Sequence, residues 1–319
     1  LISNSSKEIT YENIDNQYQF IKKKIKKRSL VLLISENTVG LLVNYITLLK
    51  NDCIVQLVDS KTNISEIKSL INLYKPSFIC GSDNWFRKNK FLNINLKNIF
   101  CIFESSIYKT RFNGKVKYNK NLSILMPTSG SMGSKKYVRI SKKNIFENTK
   151  SIISYLKLKH KERSITSMPF CYSYMLSIIN SHIECGGSIF VTDETIVQSK
   201  FWSSFKRYKI SNFNGVPYYY DILLKLGLDK IFNKNLRFLT QAGGQLDESK
   251  AIKVFNFCKK KKINFFTMYG QTEASPRMSY LQSKYGLKKI GSIGKEIPGG
   301  KIFLVDENNK KIKKSNQVG

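Results

Sequence analysis

Histidine is scarce. His160 and His182 are the only two in 319 residues, too few for a catalytic triad with a histidine in reserve or for a histidine-rich metal centre. His182 falls in an apolar helical pattern and reads as structural. Six cysteines, Cys53, Cys80, Cys101, Cys171, Cys185 and Cys258, are scattered without a Cys-x-x-Cys pair or metal spacing. They read as buried thiols of a protein in a reducing compartment, which makes the chain cytoplasmic. No apolar run reaches the roughly 20 residues that cross a bilayer, so no membrane span is expected, and no secretory leader is visible.

Acidic residues are few as well. Against 22 Asp and Glu stand 54 Lys and Arg, a formal charge of +32, which on its face invites a polyanionic partner. The lysines of Lys22 to Lys27 and Lys259 to Lys262 are mixed with abundant Asn, Ile, Tyr and Phe, and no basic motif is interleaved with aromatics. The charge therefore reads as a solvated lysine-rich surface, with no specific nucleic acid as partner. A non-catalytic nucleic-acid-binding protein is the less favoured alternative.

What is present is an alternation of strands and helices. Leu30 to Ile34, Cys53 to Val58 and Ser77 to Cys80 read as strands around the helices Thr38 to Leu49 and Ile64 to Leu73. Farther along, the helices Asn144 to Leu158, Ser173 to Cys185, Phe201 to Tyr208 and Glu248 to Lys261 interleave with strands. These are Ser164 to Met168, Ser188 to Thr192, Ser211 to Asn214, Phe238 to Gln241 and Phe265 to Tyr269. Such alternation implies an α/β fold with parallel sheets covered by helices. The length exceeds one compact core and points to two or three subdomains. After residue 290 the pattern turns to Gly-rich turns and a hairpin, Lys301 to Val305 with Lys310 to Lys313, as in a small β subdomain.

Two segments carry chemistry. Thr128-Ser129-Gly130-Ser131-Met132-Gly133-Ser134-Lys135-Lys136 lies between the apolar run Ser123 to Pro127 and the alternating Tyr137 to Ile140. A glycine-rich loop held between two strands can turn its amides and hydroxyls toward phosphate oxygens. Tyr269-Gly270-Gln271-Thr272-Glu273 offers a ring for a base, a hydroxyl and a carboxylate for magnesium. Tyr269 alone reads equally as a core aromatic, and Tyr172 and Tyr174 as the core face of a helix.

The chain is identified by these motifs as similar to the acyl-adenylate-forming superfamily, which includes acyl-CoA synthetases, peptide-synthetase adenylation domains and firefly luciferase. Ile9-Thr10-Tyr11-Glu12 resembles its opening signature, and Ser29 to Lys50 the strand and helix that follow. Pro169-Phe170-Cys171-Tyr172-Ser173-Tyr174, Gly215-Val216-Pro217, Leu236-Arg237-Phe238, Ala242-Gly243-Gly244-Gln245-Leu246, Tyr269 to Glu273, Gly291 to Gly299 and Val305-Asp306 follow in the family's order.

The resemblance implies two helix-covered, mostly parallel sheets packed together plus a small β subdomain, the family's N-terminal core. One α/β subdomain spans about 1–28 and 166–275, the other about 29–165, and the β subdomain begins over 276–319. The family's C-terminal lid domain is expected to lie outside this sequence. The resemblance further implies that ATP is bound by Thr128, Ser129, Gly130, Ser131, Gly133, Lys136, Gly243, Gly244, Gln245, Tyr269, Gly270, Gln271 and Thr272, that Lys136, Thr272 and Glu273 are catalytic with Glu273 holding Mg²⁺, and that Tyr172, Ser173, Asn214, Val216 and Ala242 line the substrate pocket. The loop departs from the family's wording at Met132, Lys135 and Tyr137.

The implied activity is that of an AMP-dependent carboxylate ligase, which joins ATP to a small-molecule carboxylic acid and passes the acyl group to a thiol. The thiol belongs to CoA or to the phosphopantetheine of an acyl carrier protein. The alternative is an amino-acid adenylation domain of a carrier-charging or peptide-synthetase system. No carboxylate lies between Pro169 and His182, and a buried ammonium needs one, so an α-amino acid is disfavoured. Tyr172 falls on the second histidine of the CoA-ligase pattern.

Overall fold

The computed structural model describes residues 2–3, 8–90, 96–112, 116–128, 136–232 and 234–312. Two larger sheets organise it. In the seven-stranded sheet the order is Lys97–Ile102, Ser105–Lys109, Phe78–Ser82, Leu30–Ser35, Ile54–Asp59, Leu122–Pro127, Tyr137–Ser141. Its four central strands pair in parallel and the outer three join antiparallel. Leu30–Ser35 is buried at every position, as expected of a parallel strand covered on both faces. Leu32, Ile34 and Val58 pack on one side against the helices Ile64–Tyr74 and Asp83–Lys88.

The five-stranded sheet runs Asn212–Gly215, Phe238–Gln241, Asn264–Gly270, Arg277–Leu281, Lys295–Glu296, the first three parallel and the last two antiparallel. A three-stranded parallel sheet of Ile2–Ser3, Ser188–Val191 and Arg163–Ile165 abuts it, since the Ser211 amide donates to the Arg163 carbonyl at 2.9 Å. An aromatic cluster with Phe201, Phe205, Phe213 and Phe265 fills one face of this assembly, under the helices Ser199–Arg207, Pro217–Leu226 and Glu248–Lys261.

The largest apolar core joins the two halves. Two helices bridge it, Lys142–Leu156 and Ser173–Glu184. Tyr155 stacks on Tyr280 with ring centroids 4.2 Å apart, and Tyr45 meets Phe170 edge-on at 5.2 Å while donating to Asn180 at 3.0 Å. Ser181, Ser177 and His182 are buried in the second helix because its whole circumference is enclosed.

Several expectations needed adjustment. Arg277–Leu281 pairs with Asn264–Gly270, so the sheet continues past residue 275, where the sequence reading placed a boundary. This strand starts directly after Pro276, a residue that reads in sequence as a breaker. The expected hairpin after residue 300 is reduced to a single antiparallel bridge between Val305 and Lys311. Its outer partner Lys313 lies outside the described residues.

Candidate active site

A cavity of about 580 Å³ opens at the C-terminal ends of the parallel strands of the five-stranded sheet, the edge at which open α/β sheets bind ligands. Gln241, Gly243, Gly244 and Gln245 reach it from the end of Phe238–Gln241, and Tyr269 to Glu273 from the end of Asn264–Gly270. Thr128 reaches it from the seven-stranded sheet, and Tyr172 and Ser173 from the start of the Ser173–Glu184 helix. Residues of both halves thus line one space.

Backbone geometry explains two of the glycines. Gly243 has φ of +85°, a conformation that costs an L side chain, and a Cβ there would collide with the Tyr172 hydroxyl. At Gly270 a Cβ would collide with the Pro276 carbonyl. The Gln271 amide donates to that carbonyl at 2.9 Å and closes the turn that carries Thr272 and Glu273. Gln241 Nε2 pins the other turn through the Gly244 carbonyl at 2.7 Å.

The side chains divide by exposure. Tyr269 is 43% exposed, a large ring left open at the cavity. Thr272 Oγ1 donates to Ser173 Oγ at 3.2 Å, tying the turn to the helix. That helix begins at Tyr172 without a side-chain cap, and its positive end favours an anion in the cavity. Burial raises the Tyr172 phenol above its ordinary range, with Arg277 pulling the other way. Glu273 is exposed at the rim beside Thr272. No group of three or more metal-ligating side chains occurs among the described residues, but a magnesium ion held by one carboxylate, phosphates and water does not require one.

Other expected residues lie at a distance from the cavity surface. Lys136 is exposed at the start of Tyr137–Ser141, its carbonyl accepting from the Thr128 amide at 3.1 Å. Ser129, Gly130, Ser131 and Gly133 fall outside the described residues. Val216 sits beside Gly243, and Ala242 is buried next to it. Asn214 does not line the cavity. Its amide donates to Asn212 Oδ1 at 2.8 Å and its carbonyl accepts from Thr240 Oγ1 at 2.6 Å. Thr240 continues to Tyr174 at 2.7 Å, a buried polar chain behind the cavity floor.

Residues that the sequence does not single out are that polar chain, Met268 and the wall made by Ile290 to Ile293, all at the cavity or behind its floor, and the buried Arg277 beside Met268. The one available signal was an arginine four positions past Glu273 inside a short apolar stretch.

A family profile described as "AMP-binding enzyme" matches residues 4–319. The 2-succinylbenzoate–CoA ligase of Listeria innocua is 26% identical over 183 residues, 57% of this chain and 38% of that protein. The oxalate–CoA ligase of Saccharomyces cerevisiae is 25% identical over 194 residues, 60% of this chain and 34% of that protein. The o-succinylbenzoate CoA synthetase of Bacillus subtilis, solved with ATP and magnesium ion, superposes with a TM-score of 0.76 at 15% identity, over 99% of this chain and 65% of that one. In each case less than two thirds of the relative is spanned. The structural likeness bears out the expected α/β fold.

Proposed function

Because the chain belongs to the family of AMP-binding enzymes, we propose that it is the core of an AMP-dependent carboxylate ligase. Such an enzyme joins ATP and a carboxylic acid into an acyl-adenylate, then passes the acyl group to CoA or to the phosphopantetheine thiol of a carrier protein. The carrying observation is the segment Tyr269–Glu273, which delivers an open aromatic ring, a hydroxyl and a carboxylate to one cavity shared with Gly243, Gly244 and Thr128.

In this reading adenine stacks on Tyr269 against the side-chain-free backbone of Gly243 and Gly244, with Gln245 and Gln271 at its edges. The phosphates extend toward Thr128 and the loop of Ser129, Gly130, Ser131 and Gly133. Thr272 donates to the α-phosphate, and Lys136 brings a cation toward the departing pyrophosphate. Glu273 suits a hard cation, which when bound offsets charge on the phosphates. A carboxylate oxygen of the acid attacks the α-phosphorus. The new O–P bond forms as the bridge to the β-phosphate breaks, and pyrophosphate leaves with the electron pair. The thiol sulfur then attacks the acyl carbonyl, losing its proton to solvent, and AMP departs. Tyr172 and Ser173 flank the acid, with Val216 and Ala242 beneath Gly243 and Asn214 holding the polar chain behind. The division into about 1–28 with 166–275, about 29–165 and about 276–319 belongs to the same proposal.

The test is ATP–pyrophosphate exchange by the full-length protein across a panel of carboxylic and α-amino acids. Exchange that requires a carboxylic acid supports the ligase, whereas exchange driven by α-amino acids alone favours the amino-acid adenylation alternative. Absence of exchange with every acid removes both.

A further inference from the structure

Arg277 is 3% exposed, yet no carboxylate pairs with it among the described residues. Its Nε donates to Ser177 Oγ at 3.0 Å and its Nη1 to Met268 Sδ at 2.8 Å, and the guanidinium lies 4.2 Å from the centre of the Tyr174 ring. A hydroxyl, a thioether and a ring face are weak company for a full charge. Thioether sulfur is a poor acceptor, and a buried cation without a counter-charge costs several kcal/mol. The arginine backbone, by contrast, is firmly held: its carbonyl accepts from Asn148 Nδ2 at 2.9 Å and its strand pairs with Gly270. The fold therefore keeps this guanidinium in place without neutralising it.

Its position relates it to the site. Met268 lines the cavity, and Ser177 lines a void of about 20 Å³ shared with Asn148, Asn180 and Pro276. Ser173 belongs to both linings, so the void and the cavity adjoin at this residue. The Arg277 charge is felt at the phenol of Tyr172, which faces the cavity.

We propose that Arg277 is the counter-charge for a second carboxylate on the acid, making the substrate of this site a dicarboxylic acid. This rests on the ligase reading. One carboxylate of the substrate lies at Thr272, where the α-phosphate is attacked, and the other receives the planar fork of Arg277 in two parallel hydrogen bonds. The incoming oxygens take the places now filled by the Met268 sulfur and the Ser177 hydroxyl. Met268 is unbranched and can swing aside at the cost of the hydrogen bond its sulfur accepts from the Tyr155 hydroxyl at 3.2 Å, and Ser177 already donates to the Tyr174 carbonyl at 2.7 Å. The same cation repels an α-ammonium group, in keeping with the absence of carboxylates from Pro169 to His182.

The test pairs acids of matched length, succinate with butyrate, glutarate with pentanoate, and phthalate with benzoate, on full-length wild type, Arg277→Met and Arg277→Lys. Binding is read without ATP as thermal stabilisation, and turnover as pyrophosphate exchange. The expected result is that at least one dicarboxylate stabilises wild type where its monocarboxylate partner does not. Arg277→Met should weaken that effect by about a hundredfold and leave monocarboxylates unchanged or improved, with Arg277→Lys between. If dicarboxylates bind through Arg277 but no acid supports exchange, the ligase reading fails and the anion site stands. The proposal is overturned if monocarboxylates match dicarboxylates in wild type, if no acid of either kind stabilises it, or if the substitutions weaken both kinds equally. Should Arg277→Met not fold, the wild-type comparison and Arg277→Lys decide.

Discussion

His182 has both ring nitrogens engaged inside the fold. Nδ1 meets the Ile178 carbonyl at 2.8 Å and Nε2 meets Asn212 Nδ2 at 3.0 Å, which suits a neutral ring protonated on Nδ1. Burial, partly opposed by the Ile178 hydrogen bond, pulls its pKa from 6.5 down to about 4. Between those values the unfolded chain binds a proton that the folded chain refuses. Stability is therefore complete above pH 6.5 and falls as the pH drops toward 4, by on the order of 3 kcal/mol in all. His182→Gln should flatten that slope in denaturation midpoints measured from pH 7 to pH 4, and an unchanged slope would show that other groups set it. Glu273 makes a separate prediction because it is exposed and its neighbours do not depend on it for packing. Glu273→Gln should keep the melting temperature and lower acid-dependent exchange by about a hundredfold or more, if the proposed role of Glu273 as the magnesium carboxylate holds. Wild-type exchange in this variant would remove Glu273 from the site.

At the scale of elements, the strand Asn264–Gly270 and the turn after it make one device, since the strand aims the ring of Tyr269 and the turn presents Thr272 and Glu273. Gly270→Ala places a methyl group against the Pro276 carbonyl, so the turn must shift, at a cost of about 1–3 kcal/mol. ATP affinity measured by calorimetry should drop more than stability does, and equal ATP affinity would show that the turn's position is immaterial. Elements of this kind were legible in sequence because their residues are local. Phe238–Gln241 and Glu248–Lys261 fall where periodicity places them. What was hidden depends on distant contacts. Asn214 looked like a cavity residue, but Thr240 and Asn212 claim both ends of its amide. Arg277 does not stand out in sequence because its strand is defined by pairing across the turn. The helix Tyr11–Lys24 is likewise hidden in sequence, its polar face outweighing the buried Ile14 and Ile21.

Over the whole molecule the formal charge is +32, and no lysine or arginine lines the cavity among the described residues. Binding to DNA should then be weak, independent of sequence, and steeply reduced by salt. Titrations of unrelated duplexes from low to physiological salt check this, and tight sequence-selective binding would contradict it. The central claim is that two sheets meet at one cavity in order to activate a carboxylate with the α-phosphate of ATP. The most direct measurement follows oxygen. An acid that supports exchange is labelled with ¹⁸O in its carboxylate and turned over to completion with ATP and a thiol acceptor. Attack on the α-phosphorus leaves one labelled oxygen in AMP and none in pyrophosphate. Label in inorganic phosphate, or AMP formed without label, would contradict the account.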